Sequence, residues 1–362
     1  MRRFLTTRTA VLDWLRTLGQ QEDVFFPLPL GENSFSFDKV RQHSRLAFED
    51  FDAAPGEKPF RASSCVQPPG KKLSPNNEQI FRFSKNAHGE YQLTPTLDER
   101  PRIIAGLRPC DLKAIHLMDR VHSDGIADTH YLTRRRNTTL IAHDCLQPCD
   151  EHCFCDATGS LRWRQGADIF LTPQPEAKLL LEALTERGER RLDDAGFAPC
   201  SDIEERRALA EEKRAQPFGR HFDAPLQRVI DTVSDSWESP VWDKHVERCF
   251  SCGTCNLVCP TCYCFDVQDD YNIDDPDSGQ RSRRWDGCML EEFAVVAGGH
   301  NFRPQLAARQ RHRIKRKLAW LPARFGDGSF CVGCGRCGHQ CTVDIDIFDI
   351  ANDLLAATEA RP

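Results

Sequence analysis

Cys249, Cys252, Cys255 and Cys259, followed by Pro260, are matched in spacing by Cys331, Cys334, Cys337 and Cys341. The pattern C-x2-C-x2-C-x3-C is the one that holds cubane iron–sulfur clusters, with the fourth cysteine of each run serving the other cluster. Three thiolates on one tight loop can grip three iron corners of a cube, while the turn that follows carries the fourth away. The expected ligand sets are Cys249, Cys252, Cys255 and Cys341 for a first [4Fe–4S] cluster, and Cys331, Cys334, Cys337 and Cys259 for a second. Zinc fits poorly, because structural zinc takes two pairs of ligands across a long gap. The chemistry these residues point to is one-electron transfer.

Ten of the eighteen cysteines lie outside these runs. Cys110 follows one apolar run and Cys145 another; a loop then supplies Cys149, Cys153 and Cys155. Cys262, Cys264 and Cys288 come after the first motif. In Cys153-Phe154-Cys155 and Cys262-Tyr263-Cys264 an aromatic ring sits between two thiols, where it would shield a cluster from water. These eight are candidates for a third [4Fe–4S] cluster, built mainly on the 145–155 loop, with Asp144 or Asp150 able to replace a thiolate. Zinc and plain burial, since a free cysteine behaves as a small hydrophobe, are the competing readings. Cys65 and Cys200 have no thiol neighbours in sequence and read as structural.

The elements that must position these groups divide the chain. Over 1–235, short β-like runs at 102–107, 138–142 and 168–171 alternate with helical patterns at 7–18, 111–121, 176–187 and 201–215. Such alternation predicts an α/β domain with a partly parallel sheet. Parallel neighbours at 102–107 and 138–142 would put Cys110 and Cys145 on one carboxyl edge, where α/β proteins place ligands. Residues 236–362 carry the motifs and read as a mainly helical, ferredoxin-like dicluster domain with an insertion over 260–330. Helical signals there fall at 291–297 and 306–318. The 71 residues between Cys259 and Cys331 are too many for the compact ferredoxin of short hairpins.

At 362 residues, 40% hydrophobic and 28% charged, the chain has the composition of a soluble globular protein of two domains. Its net charge of −6 gives no reason to expect nucleic acid. The start Met1-Arg2-Arg3-Phe4-Leu5 resembles a twin-arginine signal, but Arg8, Asp13 and Arg16 interrupt any apolar stretch. No segment is long enough to span a bilayer, and a cytoplasmic protein is expected. From Arg281 to Lys317 the net charge is +7, and six aspartates precede it between Cys262 and Gln280. That basic stretch reads either as a solvated helix or as a docking face for an acidic partner. His300, His312 and His339 are assigned no catalytic role.

No dinucleotide fingerprint, Walker motif, Cys-Cys pair of the heterodisulfide type or nickel–iron C-x-x-C pair occurs. Clusters move single electrons, so another chain must do the bond chemistry. The segments 106–111, 153–155, 259–265, 285–288, 297–303 and 331–337 resemble the iron–sulfur beta subunit of cytoplasmic NAD(P)-linked [NiFe] hydrogenases, also called sulfhydrogenases. They also resemble the related A subunit of anaerobic sulfite reductase. Gly298-Gly299-His300-Asn301-Phe302-Arg303 is closer to the hydrogenase branch. The resemblance implies a non-catalytic relay between a flavin NAD(P)H-oxidoreductase subunit and [NiFe] hydrogenase subunits. The alternative is the same role beside a sirohaem sulfite reductase or a polysulfide reductase. It also implies ligand roles for the eight motif cysteines. Thr342 stands where that family carries proline after the last motif cysteine. Outside the family reading, a redox-sensing binding protein, or an N-terminal domain with an unrecognised flavin site, are the rivals.

Overall fold

The structure, a computed structural model, describes residues 2–31, 34–46, 48 and 65–360; Met1 of the signal-like start lies outside them. Strand β1 (Arg3–Thr7) runs directly into helix α1 (Arg8–Leu18), where the Thr7 hydroxyl accepts the Ala10 amide at 3.2 Å. An N-cap of this kind stabilises a helix by about 1 kcal/mol. Helix α1 buries Val11, Leu15 and Leu18, the i, i+4, i+7 face that its periodicity predicts. Strands β2 (Asp23–Pro29) and β3 (Phe35–Lys39) follow, then a hairpin of β4 (Asn77–Lys85) and β5 (Tyr91–Pro95). Next come β6 (Arg102–Leu107), α2 (Pro109–Ser123), α3 (Thr129–Arg136), β7 (Thr138–His143), β8 (Ile169–Gln174) and β9 (Lys178–Ala183). Helix α4 (Glu186–Asp193), the short strand β10 (Ala198–Pro199) and α5 (Ile203–Lys213) complete this half.

Eight strands form one sheet in the order β10-β1-β9-β8-β7-β6-β2-β3. Its centre, β2-β6-β7-β8, is parallel, and antiparallel strands flank it on both sides. Side chains alternate between two cores. Ile104, Leu140 and Phe170 point to the face covered by α2, and Ile103, Ile141 and Ile169 to the face covered by α1. One expected element is wrong in type: half of 176–187 is strand β9, because Leu179, Leu180 and Leu181 complete a sheet buried on both faces, and a helix begins only at Glu186. A continuous apolar run is ambiguous between a buried strand and a helix.

The second half contains α6 (Leu226–Asp235), α7 (Val241–Lys244), α8 (Thr254–Leu257), β11 (Phe265–Tyr271), β12 (Ser278–Trp285), α9 (Leu306–Lys315), α10 (Leu321–Phe325), α11 (Arg336–His339) and α12 (Ile347–Glu359). Helices α6, α7, α9 and α12 enclose a third core around Trp242, Ile314 and Leu354. The expected mainly helical character is therefore only part of the picture, because the 260–330 segment also holds the β11–β12 hairpin. That hairpin joins β4 and β5 in a four-stranded antiparallel sheet, β11-β12-β4-β5, with strands from both sides of residue 235. It also accounts for the acidic run and for the start of the basic one. The acidic strand β11 pairs with the basic strand β12, and Asp269 bonds Arg281 at 2.6 Å. The helical signal at 291–297 yields only one tight turn, Glu292–Ala294, before a bridge between Val295 and Asn301.

Candidate metal centres

The first motif runs through a loop whose Ser251 and Gly253 adopt positive φ, so the chain coils tightly enough to turn successive thiols inward. One cavity is lined by Cys249, Cys252, Cys255 and Cys341, together with Arg313 and Thr342. A second is lined by Cys259, Cys331, Cys334 and Cys337, again with Arg313, and with Lys317, Arg336 and Phe154. Each cavity thus has three thiols from one motif and one from the other. Cys252 is exposed at the mouth of the first, beside a 73% exposed Phe250; in the second Cys259 is buried and Cys331, Cys334 and Cys337 are half-buried.

Charge tests whether these cavities suit an anionic cube. Arg313 is buried, borders both cavities, and among the described residues pairs with no carboxylate. Burial works against its charge, yet Cys255, Cys337, Cys259 and Cys262 around it keep the guanidinium protonated. Lys317 is likewise buried, bonds Thr261 Oγ1 at 3.0 Å, and is held protonated against burial by Cys259 and Cys262. Buried cations of this kind need compensating anions. Without metal, burial pushes the Cys255 and Cys334 thiols up to about 12, whereas the hydrogen bond from Cys262 and the nearby Lys317 hold Cys259 well below the ordinary thiol value. Metal binding takes thiolates and releases their protons, which would supply the missing negative charge. Among the described residues no three His, Cys, Asp or Glu side chains converge on a single ion.

The eight other candidates separate into two groups. Cys110 and Cys145 follow the parallel neighbours β6 and β7 at one carboxyl edge, and Cys149, Cys153 and Cys155 lie on the loop after Cys145. Cys155 faces Cys153, Cys110 and Cys149, and Cys110 in turn faces Cys334 of the second cavity. Arg108 donates to Cys145 Sγ at 3.3 Å. Gly106 (φ +77°) lets β6 bend beside Pro27, where any Cβ would collide with the ring, and so sets the approach to Cys110. The loop is locked to the second motif: the Phe154 amide bonds the Gly333 carbonyl at 2.8 Å, and a Cβ on Gly333 would strike the Phe154 carbonyl. Cys262, Cys264 and Cys288 form the second group, beside Cys259.

The other named residues take supporting places. Asp144 is committed to Arg214 at 3.0 Å, and Asp150 accepts the His152 amide at 2.9 Å. Cys65 is buried and its carbonyl accepts from Arg336 at 3.2 Å, while Cys200 bonds Asp202. His300 packs edge-on against Phe302, His312 against Trp320, and His339 lies 3.7 Å from Asp150. Reading the basic stretch as solvent-facing missed Arg313 and Lys317. Their spacing with Arg309, every fourth residue, puts all three on one helix face and was the available signal.

Residues 248–345 match the 4Fe-4S dicluster domain family. The chain is 30% identical to sulfhydrogenase 2 subunit beta of Pyrococcus furiosus over 320 residues, which is 88% of this chain and 91% of that protein. No solved structure matches. Among the described residues no helix is long and apolar enough to cross a membrane. A dicluster domain at the carboxyl end, cavities built of thiols and this extent of identity agree: the chain is an iron–sulfur, electron-transfer protein that carries [4Fe–4S] clusters, and it belongs to the family of sulfhydrogenase beta subunits.

Proposed function

We propose that this chain relays electrons inside a hetero-oligomeric complex, between a flavin NAD(P)H-oxidoreductase subunit and a [NiFe] hydrogenase module. The observation that carries the reading is the pair of four-thiol cavities sharing one buried guanidinium, in a chain so similar to a sulfhydrogenase subunit. In this reading Cys249, Cys252, Cys255 and Cys341 hold cluster A, and Cys331, Cys334, Cys337 and Cys259 hold cluster B. A third cluster sits at the sheet edge, on four of the five thiols Cys110, Cys145, Cys149, Cys153 and Cys155. Residues 1–235 form the α/β domain and 236–362 the dicluster domain, and the chain works in the cytoplasm.

When bound, the clusters accept and release single electrons. The protein's part is electrostatic and geometric. Arg313 lies against both cavities and stabilises added negative charge in either, so it eases passage between them. Buried Phe154 borders the second cavity and shields it from water. Exposed Cys252 and Phe250 make cluster A the point of exchange with a partner.

Anaerobic purification of the complex, with iron, nickel and flavin counted per copy of this chain, tests the assignment. Nickel together with flavin is the expected result. Flavin with sirohaem and no nickel would transfer the role to a sulfite reductase. The chain isolated alone, with about eight irons, would overturn the relay and favour a redox sensor.

A further inference from the structure

A cavity of about 380 Å3 opens at the carboxyl ends of the parallel strands β7 and β8, and no cysteine lines it. Alternate residues of β8, Phe170 and Thr172, form one wall. Helix α5 supplies Glu204 and Arg207 opposite them, and the loop before β8 supplies Arg164. Carboxyl edges of this kind are where α/β sheets place ligands. The volume lies within the span of about 300–1,000 Å3 usual for small-molecule sites.

The lining sets four guanidinium groups against three carboxylates, and the four are not equally engaged. Arg162 is held by Glu211 and Asp156, and Arg214 by Asp144, Glu211 and the Cys145 carbonyl. Arg164 and Arg207, in contrast, share one buried carboxylate, Glu182, which is 1% exposed and stands opposite Phe170 on β9. One carboxylate cannot balance two cations. The other counter-charge on Arg207 is Glu204 at 3.1 Å, whose side chain is 82% exposed. A pair so open to water is worth about 1 kcal/mol or less. The Arg164 guanidinium is held 4.1 Å from the centre of the Phe170 ring and gives only one of its nitrogens to Glu182. Thr172 is 2% exposed, and its hydroxyl makes no hydrogen bond among the described residues. A buried hydroxyl left without a partner is costly.

We propose that this cavity binds a small organic oxyanion, a phosphate ester or a carboxylate. Its charged group replaces Glu204 on Arg207, takes the unused nitrogen of Arg164 and accepts a hydrogen bond from the Thr172 hydroxyl. Guanidinium groups suit either headgroup, because their planar fork matches two oxygens at once. Glu182 and Phe170 hold the two arginines in place beforehand, so binding gives up only one exposed carboxylate contact. With no thiol in the lining, the site stands or falls separately from the relay. Arg214 joins its wall to the Cys145 carbonyl, which puts the bound anion behind the loop of sheet-edge thiols.

Titration calorimetry on the full-length chain, purified anaerobically, provides the test, with AMP as the phosphate ester and succinate as the carboxylate. At least one of them should bind at a single site per chain, and which one binds fixes the headgroup. Glu204→Gln removes the competing carboxylate and should tighten binding severalfold. Thr172→Val should weaken it roughly 10-fold, the loss expected for one hydrogen bond to a charged group. Arg207→Gln should abolish it. If that variant does not fold, Thr172→Val, which keeps the shape of the side chain, and exposed Glu204→Gln still decide. No binding of either probe, or an affinity unchanged in both of those variants, overturns the site. Binding retained by a chain that carries no iron would count against the relay and leave this site standing.

Discussion

The two dicluster cavities and the thiols at the sheet edge use the same side chain under different charge balance. Around the dicluster, Arg313 and Lys317 are buried with no carboxylate partner among the described residues. At the sheet edge Arg214 lies 3.0 Å from Asp144, and Arg336, which borders both the sheet edge and the second cavity, lies 2.8 Å from Asp111. The first arrangement is balanced only when something anionic fills the cavities. The second can persist as protein alone. The difference teaches that metal completes the carboxyl-terminal region, while the sheet edge is a finished scaffold to which metal is added.

The largest effect should come from the ligands themselves. Cys334→Ser should remove about four irons and abolish electron transfer through the complex, whereas Cys200→Ser should remove none; iron analysis and cluster spectra decide. Next comes removal of all iron by chelation under reducing conditions. Leaving a buried charge uncompensated costs about 3–5 kcal/mol, so amide exchange should accelerate first in α9 and the motif loops, with β6 and β7 still protected. Equal loss in both regions would break the comparison.

Arg313→Met sharpens it further, with opposite signs in the two states. The metal-free chain should melt at a higher temperature than its unsubstituted counterpart, while both dicluster potentials fall and cluster affinity drops by roughly 10–100-fold, as when supporting partners are lost. Redox titration should find any signal assigned to the sheet edge unmoved. The smallest effect concerns His312 on α9, whose pKa is lowered to about 4 by burial and by Arg303. Its neutral form favours the fold, so that contribution is complete above the ordinary value near 6.5 and declines as pH falls toward 4. Melting curves of His312→Gln should flatten across that window.

How much of this was legible beforehand depends on how far apart the cooperating residues lie. The motif cysteines recur every few residues on one loop, so their division between two cavities follows from spacing, one exchanged residue included. Cys110 and Cys145 were placed together because two apolar runs separated by a helix pattern become parallel neighbours. The split of the remaining thiols was illegible, since Asn256 and Cys288 meet only after β12 returns alongside β11. Strand β9 was missed for another reason: three consecutive leucines carry no periodicity. The hairpin within 260–330 was hidden because its strands are charged, and only their pairing with each other and with β4 makes them strands.

That pairing has a consequence for how the protein is made. Strand β4 finds its partner β12 only after much later chain has emerged; Lys85 and Asp277, which close the pair, are 192 residues apart in sequence. At about 5–20 residues per second, the newborn β4–β5 hairpin waits on the order of tens of seconds with one edge unpaired. An unpaired edge is a template for unwanted association. Biogenesis therefore has a vulnerable interval that ends when the second half of the chain arrives, and iron delivered before then would meet the sheet-edge thiols without the motifs beside them.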